Sequence, residues 1–307
     1  MDWLSRFLDL VPVQGRLELR CLYGAPWLVA YEESPPGELP YHAILSGAAM
    51  LEGIGGPPRR LEAGDILVMS HGGAHRLHDG GGEEPAAERK TPRLNMILSE
   101  NAGGGDRLDM LCGRFVVPQP YDRWMRFYLP SCLVVRAGAA SQLEALVGLM
   151  RGETASDTLG GLAMLNALST AMFALILRRA AESGHAPKGL LALAGNPRLA
   201  PALTAMFTRP DHPWNLPELA DLCGMSRATM ARQFQDSLGR SAADLLTDIR
   251  MTLASHMLEN PSLSTGAVGE DVGYQSEAAF QRAFKLHMGV TPAAWRKERR
   301  ERVGHPG

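Results

Sequence analysis

A row of small and polar side chains between Asp271 and Trp295 is spaced to meet a surface rather than to transform a substrate. From Ser276, the apolar residues Ala279, Phe280, Ala283 and Phe284 share one helical face, and Glu277, Ala278, Gln281 and Arg282 share the opposite one. Ser276 suits an N-cap, Gly289 suits a helix stop, and Thr291-Pro292 suits the start of a further helix. A second stretch, 216–234, has the same plan: Met230 and Phe234 inward, Arg227, Ala228, Ala231 and Arg232 outward. Arg232 and Arg282 each stand two residues before a phenylalanine, so one chain carries two similar reading heads, about 34 Å apart on DNA. An arginine forks onto the two major-groove acceptors of guanine. On that chemistry Arg232, Gln281 and Glu277 are candidates for base contacts, and Arg227, Lys285 and Arg296 for phosphates. Arg282 is either structural or a phosphate contact, and Ala228 and Ala231 leave room for a thymine methyl or are merely small exposed residues.

Thiols and imidazoles form the second group. Cys21, Cys112, Cys132 and Cys223 show neither CxxC nor zinc-finger spacing, which fits a reducing cytoplasm. Cys21 and Cys112 fall on expected strands, and Cys223 in the core of the first helix-turn-helix. His42, His71, His75 and His78 could ligate a divalent metal, hydrogen-bond a small polar effector, or be surface and turn histidines. No nucleophile–base pair or carboxylate pair is recognisable, so the reading is a non-enzyme without cofactor; a metal-dependent enzyme with a regulatory helical part is the alternative.

The elements that must position these residues divide in two. The 307 residues, 45% hydrophobic, suffice for about two domains. The net charge of -2, with 13 Lys/Arg against 12 Asp/Glu from Asn196 onward, leaves charge position to do the electrostatic work. The one dense basic run is Arg296, Lys297, Arg299, Arg300 and Arg302, which reads either as a solvated helix end or as phosphate contacts. No stretch reads as a membrane span or a signal peptide. A short helix over 1–10 precedes strands expected at 17–22, 27–31, 41–46, 48–51, 66–69 and 108–117, a pattern of a small barrel or sandwich. Mobile loops are expected at 80–84 and 101–105. Helices follow at 121–128, 140–151 and 157–181, the last with an apolar face wider than one core needs. Residues 184–196 read as a linker, and seven helices follow: 198–207, 216–222, 227–238, 241–258, 263–271, 277–288 and 292–302.

The run Val-Gly-Tyr-x-Ser-(x)3-Phe-x-Arg-Ala-Phe-Lys-(x)3-Gly-x-Thr-Pro-(x)2-aromatic-Arg, starting at Val272, closely resembles the signature of AraC-type transcriptional regulators. Residues 41–47 and 61–78, centred on the Gly64-Asp65 turn and His75, resemble the cupin sensor domain of the same family, but the metal-binding His-x-His pair of cupins is present only as His42. The resemblance implies an α+β chain: a cupin-like barrel with dimerisation helices over 1–183, a linker over 184–196, and an all-α reader with two helix-turn-helix motifs over 197–303. It implies double-stranded DNA as partner, a homodimer through the helix near 157–181, and RNA polymerase if the protein activates. Cys112-Gly113-Arg114-Phe115 resembles a motif of the cupin-bearing members. The opening Met-Asp-x-Leu-Ser-Arg with Cys21 resembles those members that answer reactive chlorine species. By that resemblance, oxidation of Cys21 and its bridging to another cysteine would be the signal; the candidates for sensing an oxidant or a small-molecule effector are Cys21, Cys112, His42 and His75, the alternative being that all four cysteines are small buried hydrophobes.

Overall fold

The computed structural model describes residues 2–183 and 188–304. They form two compact units, Pro12–Ser183 and Met1–Val11 together with Gly184–Gly307. Helix α1 (Trp3–Leu10), expected with the barrel, therefore belongs to the helical unit. Its amphipathic spacing announces a buried face but not the partner; Phe7 meets Phe207 edge-on at 6.4 Å, and the carbonyl of Leu10 accepts from His256 Nε2.

Within Pro12–Ser183 the strands are β1 (Gln14–Gly24), β2 (Leu28–Tyr31), β3 (Glu38–Ser46), β4 (Ala48–Glu52), β5 (Arg59–Glu62), β6 (Asp65–Val68), β7 (His75–His78), β8 (Glu88–Pro92), β9 (Ile97–Asn101) and β10 (Arg107–Val116). Helix α2 (Arg123–Tyr128), strand β11 (Leu133–Arg136), and helices α3 (Gln142–Glu153) and α4 (Gly161–Glu182) complete it. One sheet has the order β11-β6-β3-β10-β1-β9-β8, the other β2-β7-β4-β5. Strands β5, β7, β8, β9 and β11 are not announced by the pattern of the sequence; β7 and β9 lie inside their sheets, and β5, β8 and β11 are sheet edges. An edge strand half in water needs no regular apolar alternation, and Arg-Arg-Leu-Glu and Glu-Arg-Lys-Thr-Pro have none. Cys21, Tyr23, Trp27, Ile44, Leu51, Leu67, Leu77, Met110 and Cys112 are buried in one apolar core.

The run Cys112 to Phe115 shows how alternation along a strand serves two layers. Cys112 joins that core, while Phe115 meets Phe173 of α4 at 4.9 Å. A Cβ on Gly113 would stand 2.6 Å from the Tyr41 hydroxyl, so only glycine lets Tyr41 cross to stack on Phe115 and bond Ser169. Arg114 pairs with Glu18 and Glu38. The structure corrects one expectation here: α4 is long and apolar enough, by length and composition, to cross a membrane. Leu165, Met172, Phe173, Ile176 and Leu177 are among its buried residues.

In the helical unit the second half of the expected linker is a helix, α5 (Leu190–Ala194), whose Leu190, Leu191 and Leu193 are buried. Residues 184–187 of that linker lie outside the described residues. Then come α6 (Ala200–Thr208), α7 (Leu216–Leu222), α8 (Arg227–Leu238), α9 (Ala242–Met257), α10 (Thr265–Asp271), α11 (Glu277–Met288) and α12 (Pro292–Gly304). Two lobes built on α7–α8 and α10–α11 correspond at an interval of fifty residues: caps Ser226 and Ser276, buried Met230 and Phe280, buried Phe234 and Phe284. Gly239 (φ 66) and Gly289 (φ 79) end both reading helices in the left-handed region, where a side chain would be strained. Trp295 closes the second lobe, donating from Nε1 to the Ser255 carbonyl at 3.0 Å.

Candidate nucleic-acid interface and buried thiol–imidazole site

The Ser226 hydroxyl accepts from the Thr229 backbone N–H and starts α8 so that Arg227, Ala228, Ala231 and Arg232 face water while Met230 and Phe234 are buried. Ser276 does the same for α11 through Ala279, exposing Glu277, Ala278, Gln281, Arg282 and Lys285. The two faces carry Arg227, Arg232, Arg282 and Lys285 with no intramolecular acid paired to any of them, among the described residues. Other cations of this unit are committed: Arg299 to Glu259, Arg240 to Asp248, Arg250 to the carbonyls of Pro210 and His212. Arg232 borders a cleft of about 530 Å3 with Trp214, Asn215, Gln235 and the cap residue Ser241. Glu277 and Gln281 are not independent readers, since Gln281 Nε2 donates to Glu277 Oε1 at 2.8 Å; together they present one pre-set polar pair.

Arg296, expected as a phosphate contact, is engaged within the domain. Its guanidinium donates to the carbonyls of Asn260 (2.9 Å) and Leu263, tying α12 to the turn before α10. Arg299 stacks over Trp295 at 4.5 Å, and Lys297 pairs with Glu301. Much of the terminal basic run is thus spent inside the domain, a distinction that spacing alone cannot make.

In the barrel the four expected sensing residues converge. Cys21 Sγ lies 3.8 Å from Cys112 Sγ, Cys112 Sγ 3.2 Å from His42 Nδ1, and His42 Nε2 2.9 Å from His75 Nε2. His75 Nδ1 lies 3.0 Å from the Gly73 carbonyl. That carbonyl can only accept, so it assigns the whole chain of protons. His75 carries its proton on Nδ1 and, being neutral, leaves Nε2 bare. His42 then donates from Nε2, and its bare Nδ1 faces the Cys112 thiol. Burial and the neighbouring His75 hold His42 well below the ordinary imidazole range, and burial lowers His75 as well. Its hydrogen bond with Cys112 lowers the Cys21 thiol against the opposing effect of burial, and burial pushes Cys112 up. Of the pair, Cys21 is the thiol shifted toward the thiolate.

Tyr31 completes the site and was not legible as part of it, being one aromatic on a short strand. It stacks on His75 at 4.7 Å, touches His42 at 4.6 Å, and its hydroxyl lies 3.7 Å from Cys112 Sγ. His71 and His78 stay apart: His71 meets the Leu129 carbonyl, and His78 lies against Glu52 and accepts from the Gly80 backbone. Among the described residues no group of three or more His, Cys, Asp or Glu side chains is disposed to hold a metal ion. A groove of about 470 Å3, lined by Ala43, Ala63, Gly64, Ala139 and Gly148, includes none of the four sensing residues.

Residues 2–182 match the family described as Cupin, and residues 219–298 that described as Helix-turn-helix domain. An uncharacterized HTH-type transcriptional regulator of Haemophilus influenzae is 28% identical over 298 residues, 97% of this chain and 99% of its own. The RCS-specific HTH-type transcriptional activator RclR of Escherichia coli is 28% identical over 305 residues, 98% of this chain and 99% of its own. A solved transcriptional regulator of Chromobacterium violaceum, of the AraC-type DNA-binding domain proteins, is 25% identical, covering 37% of this chain and 97% of that one with a TM-score of 0.33.

Proposed function

This chain belongs to the AraC-type transcriptional regulators with an N-terminal cupin domain, and from that premise we propose that it reports oxidation of the Cys21–Cys112 pair as a change in DNA binding by α8 and α11. The observation that carries the reading is the 3.8 Å approach of the two sulfurs beside an imidazole whose bare nitrogen faces the second thiol. The relative in Escherichia coli is named as specific for RCS, and hypochlorous acid is the oxidant taken here. The Cys21 thiolate attacks its chlorine, giving a sulfenyl chloride and hydroxide. Cys112 then attacks the Cys21 sulfur, chloride leaves, and the S–S bond forms as the Cys112 proton passes to His42 Nδ1. Two thiols lose two electrons and two protons: the Cys21 proton combines with the hydroxide to give water, the Cys112 proton is held by His42 and passes on to solvent, and hypochlorous acid leaves as chloride and water.

Closing the sulfurs from 3.8 Å to about 2.05 Å must move strands. Cys21 stands opposite Met110, so Cys112 is its diagonal neighbour, next to a register shift between Leu17 and Leu19. Diagonal positions across an antiparallel pair are farther apart than a relaxed disulfide allows. The bridge therefore pulls β1 against β10, and α4, which packs on β1, receives the displacement. Leu162 and Met164 in the first turn of α4, and Leu159 just before it, are exposed to solvent; a second copy of the chain is the occupant this reading assigns to them, so that the signal reaches paired readers in the cytoplasm.

The test is binding to duplexes from the promoter beside its own gene, with protein reduced and then treated with one equivalent of hypochlorous acid. Wild type is expected to change affinity at least about fivefold, Cys21→Ser and Cys112→Ser to be indifferent, and peptide mapping to find Cys21 joined to Cys112. Oxidised wild type with unchanged affinity, or Cys21 bridged only to Cys132, sinks the reading.

A further inference from the structure

The two reading heads are joined by α9, and in its middle sits a buried carboxylate that serves neither head alone. Asp248 is 3% exposed. Its Oδ2 accepts from Arg240 Nη1 at 2.5 Å, and its Oδ1 lies 2.9 Å from His287 Nε2. Arg240 follows directly on Gly239, the cap that ends α8, and His287 is in the last turn of α11. One side chain thus holds the end of the first reading helix and the end of the second.

The interval of fifty residues that relates the lobes shows that this device is not part of the reading motif. The position matching His287 is Ser237, that matching Arg240 is Val290, and that matching Asp248 is Glu298. The trio occurs where the lobes meet and is not duplicated with them. Around it α9 buries Leu245, Ile249 and Met251, apolar contacts that are non-directional and tolerate small rotations. The charge-assisted hydrogen bond from Arg240 is directional and does not, and the 2.9 Å contact of Asp248 with His287 holds the second helix end against the same carboxylate. Successive major-groove faces are about one helical turn apart, so a small rotation of one head about α9 shifts the base step at which it lands.

We propose that Asp248 is a positioning residue that sets half-site spacing: by clamping Arg240 and His287 it fixes the separation and phase of α8 and α11, and so the distance between the two boxes the protein accepts. This rests on the reading that both helices enter DNA. The experiment begins with selection from random duplexes by the full-length reduced protein, giving its two-box site. Affinities are then measured on that site, on versions with one or two base pairs inserted or removed between the boxes, and on duplexes keeping one box. Wild type is expected to lose about tenfold for each base pair of mis-spacing. Asp248→Asn, Arg240→Gln and His287→Gln are each expected to flatten that penalty to about threefold or less while one-box affinity stays within about twofold. Should Asp248→Asn fail to fold, Arg240→Gln remains informative, because the Arg240 side chain is 29% exposed. Variants that melt at lower temperature yet keep the wild-type spacing profile overturn the proposal, since a purely structural role predicts that result. A wild type indifferent to spacing overturns the two-helix reading, and this inference with it.

Discussion

At His42 two effects push the same way: full burial and the neighbouring His75 both disfavour the imidazolium, and the folded-state value lies well below the ordinary one. In the unfolded chain the group titrates near about 6.5. Below that pH the unfolded state takes up a proton that the folded state refuses, so the contribution to stability is whole above about pH 6.5 and is lost as pH falls toward the folded value. His75 acts in the same direction. Melting of the reduced protein at pH 7 down to 5 should show the sensor transition weakening by up to about 1.4 kcal/mol per pH unit for each group, and His42→Gln should shed one such increment. An unchanged slope in that variant contradicts the proton assignment. On the reading helices, Arg232→Ala should relax sequence preference at one base position and cost about 1–3 kcal/mol of binding. Arg296→Ala, which removes the ties to the Asn260 and Leu263 carbonyls, should lower the melting temperature and leave sequence preference as it was; competition binding against a panel of single-base variants separates the two.

Among the elements, α1 has the most unexpected placement. Its sequence period marks a helix with one greasy side, and Leu4, Phe7 and Leu10 are indeed buried, against the helical unit rather than the barrel. Burial of a large apolar side chain is worth about 1.5–3 kcal/mol. Deleting residues 2–11 should therefore lower the denaturant stability of the helical unit by about 3–6 kcal/mol, and a truncated protein as stable as the full chain would remove α1 from that unit. Elements with a strong local rule behaved as their residues dictated. Helices α7, α8, α10 and α11 have a Ser or Asn cap, and α8 and α11 end on glycine, so their ends were written in single residues. Strands β5, β8 and β11 had no such mark.

For the whole molecule, the family fixes the task as regulation of transcription through DNA. The chain leaves α1, part of the helical unit, and enters β1, which carries Cys21. A strain on β1 thus acts on a strand covalently joined to the reader at its start. If, as proposed, the exposed apolar residues at the start of α4 couple two copies, Met164→Glu should convert a dimer in sedimentation experiments to a monomer and weaken binding to paired sites, with the circular dichroism of the sensor preserved. A wild-type protein that is monomeric at micromolar concentration would remove α4 from that role.

What the sequence determined by itself is what local rules govern. Caps, glycine stops and the 3.6-residue period set the two helix-turn-helix motifs and their outward faces, because each is decided within a few residues. The tertiary structure decided whatever depends on residues far apart in the chain. Cys21 and Cys112, 91 residues apart, reach 3.8 Å only because β1 and β10 pair, and His42 joins them because β3 pairs with β10. The direction of every proton in that network is set by one backbone carbonyl, at Gly73, which no side-chain pattern can announce. The same holds for charge: Arg232 and Arg296 are the same residue type on similar helices, and only the fold leaves one facing solvent and gives the other two carbonyls to hold.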